Sequence, residues 1–302
     1  MTDSLIISVI AAQKGPAIHG AVRRILRDFS GSGTVGETRW LSLDKACETV
    51  VTFSSPELAE ILPRGFVHAG DGLDVNVLDA AGDRRKKLLI ADMDSTIICC
   101  ECLDELADLA GLKPQIAAIT DRAMQGEIAF EPALRERVGM LKGLSLDALE
   151  RTYETRVKLN PGAKVLVATM KKHGARTCLV SGGFTYFTGR VASDVGFDDN
   201  QANVLLDDGQ RLTGEVKEPI LGREAKLAAL KAEIEKLNIT AADTLAVGDG
   251  ANDLAMIQHS GLGIAYHAKP VVAEAAAASV NYGDLRNLLY LQGYSDDEIV
   301  ES

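Results

Sequence analysis

Asp92 and Asp94 stand one residue apart at the end of the apolar run Leu88, Leu89, Ile90, Ala91. Such an unbroken run predicts a strand buried on both faces of a parallel sheet, and ligands collect beyond the carboxyl ends of these strands. Residues i and i+2 of an extended segment leave the backbone on the same side, so both carboxylates address one small volume. Two like charges held that close repel unless a cation lies between them. Hard oxygen donors suit Mg²⁺, which takes one or two carboxylates, waters and phosphate oxygens. An isolated Asp-x-Asp more often opens a turn or caps a helix, so its companions along the chain decide.

The design recurs downstream. Thr244 to Val247 form a second apolar run that leads into Gly248, Asp249, Gly250, Asn252 and Asp253, followed by the helical apolar pattern of Leu254 to Ile257. Between the two, Thr177 to Val180 run into Ser181, Gly182 and Gly183. Small residues with free backbone N–H groups ahead of a helix make an anion cradle. Lys226 falls in the first turn of a helix expected to begin near Gly222. Singly, each feature has an ordinary explanation as a loop or a solvated charge; together they form an ordered set, each member on the element it needs.

That set resembles the haloacid dehalogenase-like phosphohydrolase superfamily, whose four motifs cover nearly all of residues 88 to 283. Glu101, Phe130 and Arg137, between the first two motifs, resemble its phosphoserine phosphatase family. The resemblance implies a Mg²⁺-dependent hydrolysis of O-phospho-L-serine to serine and phosphate, the last step of serine biosynthesis. Asp92 is then the nucleophile, giving an aspartyl phosphate, and Asp94 the general acid and afterwards the base. Mg²⁺ is expected on the Asp92 carboxylate, the Asp94 backbone carbonyl and Asp249, with Asp253 orienting a metal-bound water. Ser181, the Gly182 N–H and Lys226 are expected around the phosphate, and Asn252 against the phosphate or the lysine. Arg137 suits the substrate carboxylate by a two-pronged hydrogen bond, Glu101 the ammonium, and Phe130 the exclusion of water. Alternatives are a phosphatase for phosphothreonine, whose extra methyl is worth only ~1–3 kcal/mol, phosphotransfer to another acceptor, and a catalytically silent amino-acid sensor. A pure sensor has no need of the Asp92, Asp94, Lys226 and Asp249 set.

These residues require particular elements. Leu103, Leu106, Ala107 and Ala110 recur at helical spacing, so a helix is expected from Glu101 to Leu109, ended by Gly111 and Pro114. A second helix is expected near Phe130, with Pro132 in its first turn and Leu134, Val138 and Leu141 as an apolar stripe. Phe130 and Arg137, seven residues apart, then share a face, and long helical side chains lean toward the N-terminus. Spacing alone also allows an acidic helix start at Glu101, a core Phe130 and a surface ion-pair face at Arg137. The reading is of a small helical cap, at about residues 100 to 160, acting as a lid.

Before it, the pattern predicts strand Leu5–Ile10, helix Ala17–Phe29, strands Thr34–Leu41 and Ala46–Phe53, helix Pro56–Leu62 and strand Leu73–Val77. This βαββαβ order suggests a ferredoxin-like α+β domain over residues 1–83 and resembles ACT-type regulatory domains. Regulation or homodimerisation is its expected role, with amino-acid sensing and simple stabilisation as the others. Residues 84–302 then form the phosphatase domain. Past the cap, a helix is expected to open at Pro161, Val204–Leu206 and Arg211–Val216 to form a hairpin, and strands near Leu262–Ala265 and Ser279–Asn281 to complete a doubly wound parallel α/β sheet.

Composition narrows the partners. The net charge is −11, and because the first 87 residues hold 11 basic and 11 acidic side chains, the whole excess falls on the remainder. An acidic balance disfavours nucleic acid and anionic membranes. The basic run Arg84 to Lys87 reads as a solvated linker at the domain boundary. With no charged-then-apolar leader and no run long enough to span a bilayer, a cytoplasmic home is expected. Five cysteines, three of them crowded at Cys99, Cys100 and Cys102, fit neither a disulfide framework nor a zinc site.

Overall fold

The structure, a computed structural model, describes residues 4–31, 33–53, 65–68, 72–124 and 127–301. Its N-terminal sheet contains β1 (Ser4–Ala11), β2 (Gly33–Ser42), β3 (Ala46–Phe53), β4 (Gly65–His68) and β5 (Leu73–Asp79), in the order β2-β3-β1-β5-β4. Within it, β5-β1-β3-β2 is the ferredoxin-like antiparallel arrangement; β4, which the sequence pattern does not signal, adds an edge by pairing with β5. The helix expected over Pro56–Leu62 lies outside the described residues.

Period-two alternation along β1 assigns its two faces. Leu5, Ile7 and Val9 join Val51, Phe53, Val75 and Val77 against the Ala17–Phe29 helix. Ile6 and Ile10 join Leu41, Ala46 and Leu78 in a core shared with Leu288 and Tyr290 of the catalytic part. The second contact also carries buried polar groups that would be costly if left unpaired. Asn76 exchanges two hydrogen bonds with the Ser279 backbone, at 2.8 and 3.0 Å, and Asp74 accepts from the N–H of Asn281 at 2.9 Å. The basic run is paired as well as partly solvated: Arg84 donates to Glu48 at 2.8 Å, Arg85 to Glu298 at 2.6 Å, Lys86 to the Ala242 carbonyl at 2.8 Å, and Lys87, still exposed, pairs with Asp243 at 2.9 Å.

The second sheet is wholly parallel. Its strands are β6 (Leu88–Ala91), β7 (Arg176–Phe184), β8 (Asp199–Asn203), β11 (Thr244–Gly248), β12 (Leu262–Tyr266) and β13 (Ala278–Val280), ordered β13-β12-β11-β6-β7-β8. Every residue of β6 is 0% exposed, which explains why that segment shows no apolar-polar alternation. From β6 the chain adds strands first on one side and then, from β11, on the other. The β6/β11 boundary is therefore a topological switch point, where ligands bind in such sheets.

Four helices between β6 and the Ala163–Lys172 helix form the cap: Cys102–Leu109, Lys113–Met124, Phe130–Met140 and Leu146–Arg156. Two of these, Lys113–Met124 and Leu146–Arg156, go beyond the sequence reading. Pro114 does not end the first helix but sits in the opening turn of the next, where a missing N–H costs nothing. Likewise the later helix opens at Ala163, because Gly162 adopts a left-handed φ of 82° that Pro161 does not carry into the helix. The hairpin of β9 (Leu205–Asp207) and β10 (Leu212–Val216) leans on the cap, with the N–H of Gly143 donating to the Leu212 carbonyl at 2.8 Å and that of Leu212 to Leu144 at 2.9 Å. Among the described residues no helix is long and apolar enough to cross a membrane.

Candidate active site

Strand ends bring the acids together. Asp92 leaves β6 with its N–H donating to the Val247 carbonyl of β11 at 3.0 Å, so β6 and β11 deliver Asp92 and Asp249 to the same rim. Beyond Asp92 the chain kinks through Met93–Ile97, with Ser95 at a φ of 56°. This sharp turn directs Asp94 back toward β7. There Asp94 accepts from Ser181 Oγ at 3.1 Å and from the N–H of Cys102 at 2.9 Å. The second bond satisfies a free N–H at the start of the first cap helix and tethers the cap to this carboxylate.

Two glycines are required by close approach. A Cβ on Gly248 would lie 2.3 Å from Asp253 Cγ, and one on Gly183 would lie 3.0 Å from both Asp94 Oδ2 and Ser181 Oγ. Asn203, at the end of β8, fixes the neighbouring loop by donating to the Gly182 carbonyl at 2.9 Å and to that of Leu221 at 3.1 Å.

Nine of the residues singled out from the sequence line one cavity of about 360 Å³ between sheet and cap: Asp92, Asp94, Glu101, Phe130, Arg137, Ser181, Gly182, Asp249 and Asn252. Lys226 and Asp253 lie behind its wall. The Lys226 ammonium is held between Asp92 Oδ1 at 2.7 Å and Asp253 Oδ1 at 2.6 Å, and its side chain is only 3% exposed. Asp253 also accepts from the N–H of Gly250 at 3.1 Å, and Thr96 Oγ1 donates to Asp249 at 3.1 Å.

The electrostatics leave room for a cation. Burial pushes the Lys226 ammonium down, but the carboxylates of Asp92 and Asp253 outweigh it and hold its pKa above the ordinary value. Asp92 lies well above the usual carboxylate range, through burial first and the Asp253 charge second, because two carboxylates share one ammonium. Burial likewise raises Asp94 and Asp249. Oxygen atoms of Asp92, Asp249 and Asp253 lie within 4.8 Å of one another. This hard-donor set, negative beyond what Lys226 neutralises, fits a divalent cation.

The far end of the cavity belongs to the cap. Phe130 opens its helix, is 37% exposed, and hangs over Gly182 and Gly222, whose added Cβ atoms would meet its ring at 3.6 and 3.3 Å. Arg137, two turns on, donates to Thr120 Oγ1 at 3.4 Å and to the Ala133 carbonyl at 3.3 Å. Burial lowers its pKa, while Asp104 and Glu101 oppose that shift. Glu101 accepts from Ser95 Oγ at 2.6 Å, and burial together with the nearby Asp94 charge pushes its carboxyl up to about 7.

Asp104, Thr120 and Lys269 also line the cavity and escaped the sequence reading. Asp104 had a signal, since i and i+3 of a helix share a face with Glu101. Thr120 lies on a helix whose apolar stripe is weak and whose first turn holds a proline, and nothing local marks Lys269.

A family model described as haloacid dehalogenase-like hydrolase matches residues 89–258. The chain is 47% identical over 210 residues to a phosphoserine phosphatase of Polaromonas sp., spanning 68% of this chain and 89% of that protein. Among solved structures it is similar to a HAD family hydrolase from Salmonella enterica serovar Typhi, with a TM-score of 0.81 and 30% identity over 95% of this chain and 98% of that one. It is also similar to a probable phosphoserine phosphatase from Vibrio cholerae, with a TM-score of 0.75 and 32% identity over 96% and 86% of the two chains.

Proposed function

Because the chain belongs to the phosphoserine phosphatases of the haloacid dehalogenase-like hydrolases, we propose that it hydrolyses O-phospho-L-serine in the cavity between sheet and cap, with Mg²⁺. The observation that carries this reading is the polarity of that cavity. Asp92, Asp94 and Asp249 lie at the sheet end and Glu101 and Arg137 at the cap end, with the Phe130 ring over Gly182. Phosphoserine has a phosphate to meet the first group and an ammonium and a carboxylate to meet the second.

In this mechanism Asp92 Oδ attacks phosphorus in line, forming the aspartyl phosphate while the serine oxygen departs. Asp94, raised by burial and held by Ser181 and the Cys102 N–H, gives its proton to that oxygen. The same carboxylate then takes a proton from the water that cleaves the acyl phosphate. Lys226 orients Asp92 from behind. The Gly182 N–H donates to the phosphoryl oxygens, and the Ser181 hydroxyl turns its single proton from Asp94 to them when substrate enters. Mg²⁺, held by Asp92, the Asp94 carbonyl and Asp249, with Asp253 behind them, would neutralise charge on the transferring group. Arg137, its guanidinium propped by Thr120, takes the substrate carboxylate, and Glu101 its ammonium. Release of serine makes this the last step of serine biosynthesis.

Steady-state phosphate release from L-phosphoserine, phosphothreonine and an aryl phosphate, with Mg²⁺ or chelator, tests the reading. Metal-dependent turnover with a marked L-phosphoserine preference is expected; turnover of the aryl ester alone would discard the substrate. Charge reversal at Glu101 should raise KM for phosphoserine by about tenfold or more through loss of a charge-assisted contact, with little change for the aryl ester. Equal changes for both esters would argue against an ammonium contact.

A further inference from the structure

The cations of the site are distributed unexpectedly. Lys226 spends two of its three ammonium N–H donors on Asp92 and Asp253, beside the cavity wall. Five carboxylates line the cavity, those of Asp92, Asp94, Glu101, Asp104 and Asp249, and among the described residues only two cations do, Arg137 and Lys269. Arg137 stands at the cap end among Asp104, Glu101 and Thr120. Lys269 stands at the sheet end, where its N–H donates to the Asp249 carbonyl at 3.2 Å. Among the described residues its ammonium has no hydrogen-bond or ion-pair partner. It is therefore the one cation on the wall at that end with charge to spare.

The turn that carries Lys269 is fixed. His267 adopts a φ of 44°, its N–H donates to the Val280 carbonyl at 2.8 Å, and its Nε2 donates to the Gly283 carbonyl at 2.7 Å. The segment that supplies those carbonyls is itself gripped by the N-terminal domain, since Asp74 accepts from the N–H groups of Asn281 and Tyr282 at 2.9 and 3.3 Å. A backbone so held sets the base of the lysine, while its long stem leaves the ammonium free to follow a ligand.

We propose that Lys269 is a substrate-binding residue that receives the phosphate dianion on entry and holds the orthophosphate product before release. The proposal rests on the phosphatase reading above and adds to it a further positive charge on the phosphate side. Five carboxylates line the wall, and a divalent cation among them offsets only two of their charges, so an incoming dianion still meets an acidic site. Lys269 is exposed, and a mobile cation at the mouth of a concave site offsets that repulsion by focusing the field, which changes association by about tenfold.

Orthophosphate binding to the full chain, measured by calorimetry with and without Mg²⁺, is the direct test for the parent, Lys269→Met and Lys269→Arg. About tenfold weaker binding is expected in Lys269→Met, with near-parental binding in Lys269→Arg. In steady-state assays Lys269→Met should lower kcat/KM by a similar factor for L-phosphoserine and an aryl phosphate, through KM, and flatten its decline with ionic strength. Unchanged orthophosphate affinity in Lys269→Met overturns the proposal. So does a loss confined to phosphoserine, which would put the lysine on the amino-acid part. Should the parent hydrolyse the aryl ester and spare phosphoserine, the substrate reading fails, while orthophosphate binding still decides the role of Lys269.

Discussion

Asp92→Asn is expected to lower phosphate release by at least about 10³-fold, as the loss of an attacking group does, while the chain unfolds at the same denaturant concentration as the parent or a higher one. The two halves of this expectation have separate causes. An amide oxygen cannot form the acyl phosphate, so covalent catalysis stops. It can still accept from the Lys226 ammonium, which keeps its bond to Asp253 at 2.6 Å. Removing one of two carboxylates that share one ammonium also relieves the repulsion that raises Asp92. Phosphate release and urea unfolding on one preparation check both halves. Turnover within tenfold of the parent would sink the nucleophile assignment, and collapse of the fold would show that Asp92 also holds the sheet ends together.

Lys226→Met is expected to have the opposite balance, with activity lost and stability lost too. Methionine matches the stem of the lysine but leaves Asp92 and Asp253 facing one another, 5% and 0% exposed, with no ammonium between them. Breaking a buried pair by removing one partner costs about 3–5 kcal/mol, so the urea midpoint in chelator should fall accordingly. Part of the cost is escaped by protonation of one carboxylate, which destroys either the nucleophile or its orientation. The double variant Lys226→Met/Asp253→Asn should recover stability without activity, because it removes the repulsion and not the need to orient Asp92. A single variant with a parental midpoint in chelator would contradict the buried geometry, and recovered activity in the double variant would contradict the orienting role.

The legible parts of this protein were those whose signal is local. The strand ends carrying Asp92 and Asp249 stand out because burial on both faces demands unbroken apolar runs, and acids after them break the run abruptly. The hairpin at Asp207 to Gly209 and the helices at Ala17 and Phe130 follow from turn chemistry and periodicity. By contrast, the Lys113–Met124 helix combines a proline in its first turn with a weak apolar stripe, so Pro114 suggested an end where the chain begins again. With that helix missed, Thr120 had no place from which to prop Arg137.

The sequence by itself determined the strands that carry the acids, the α/β class with an antiparallel sheet ahead of it, and the type of chemistry, because side-chain period and motif spacing act over a few residues. The tertiary structure alone decided that Lys226 lies behind Asp92 against Asp253, that Lys269 faces the cavity, and that the N-terminal sheet buries a polar face on Ser279 and Asn281. These facts depend on pairs more than twenty residues apart in the chain, whose approach is set by packing of whole elements and by the need of every buried polar group for a partner.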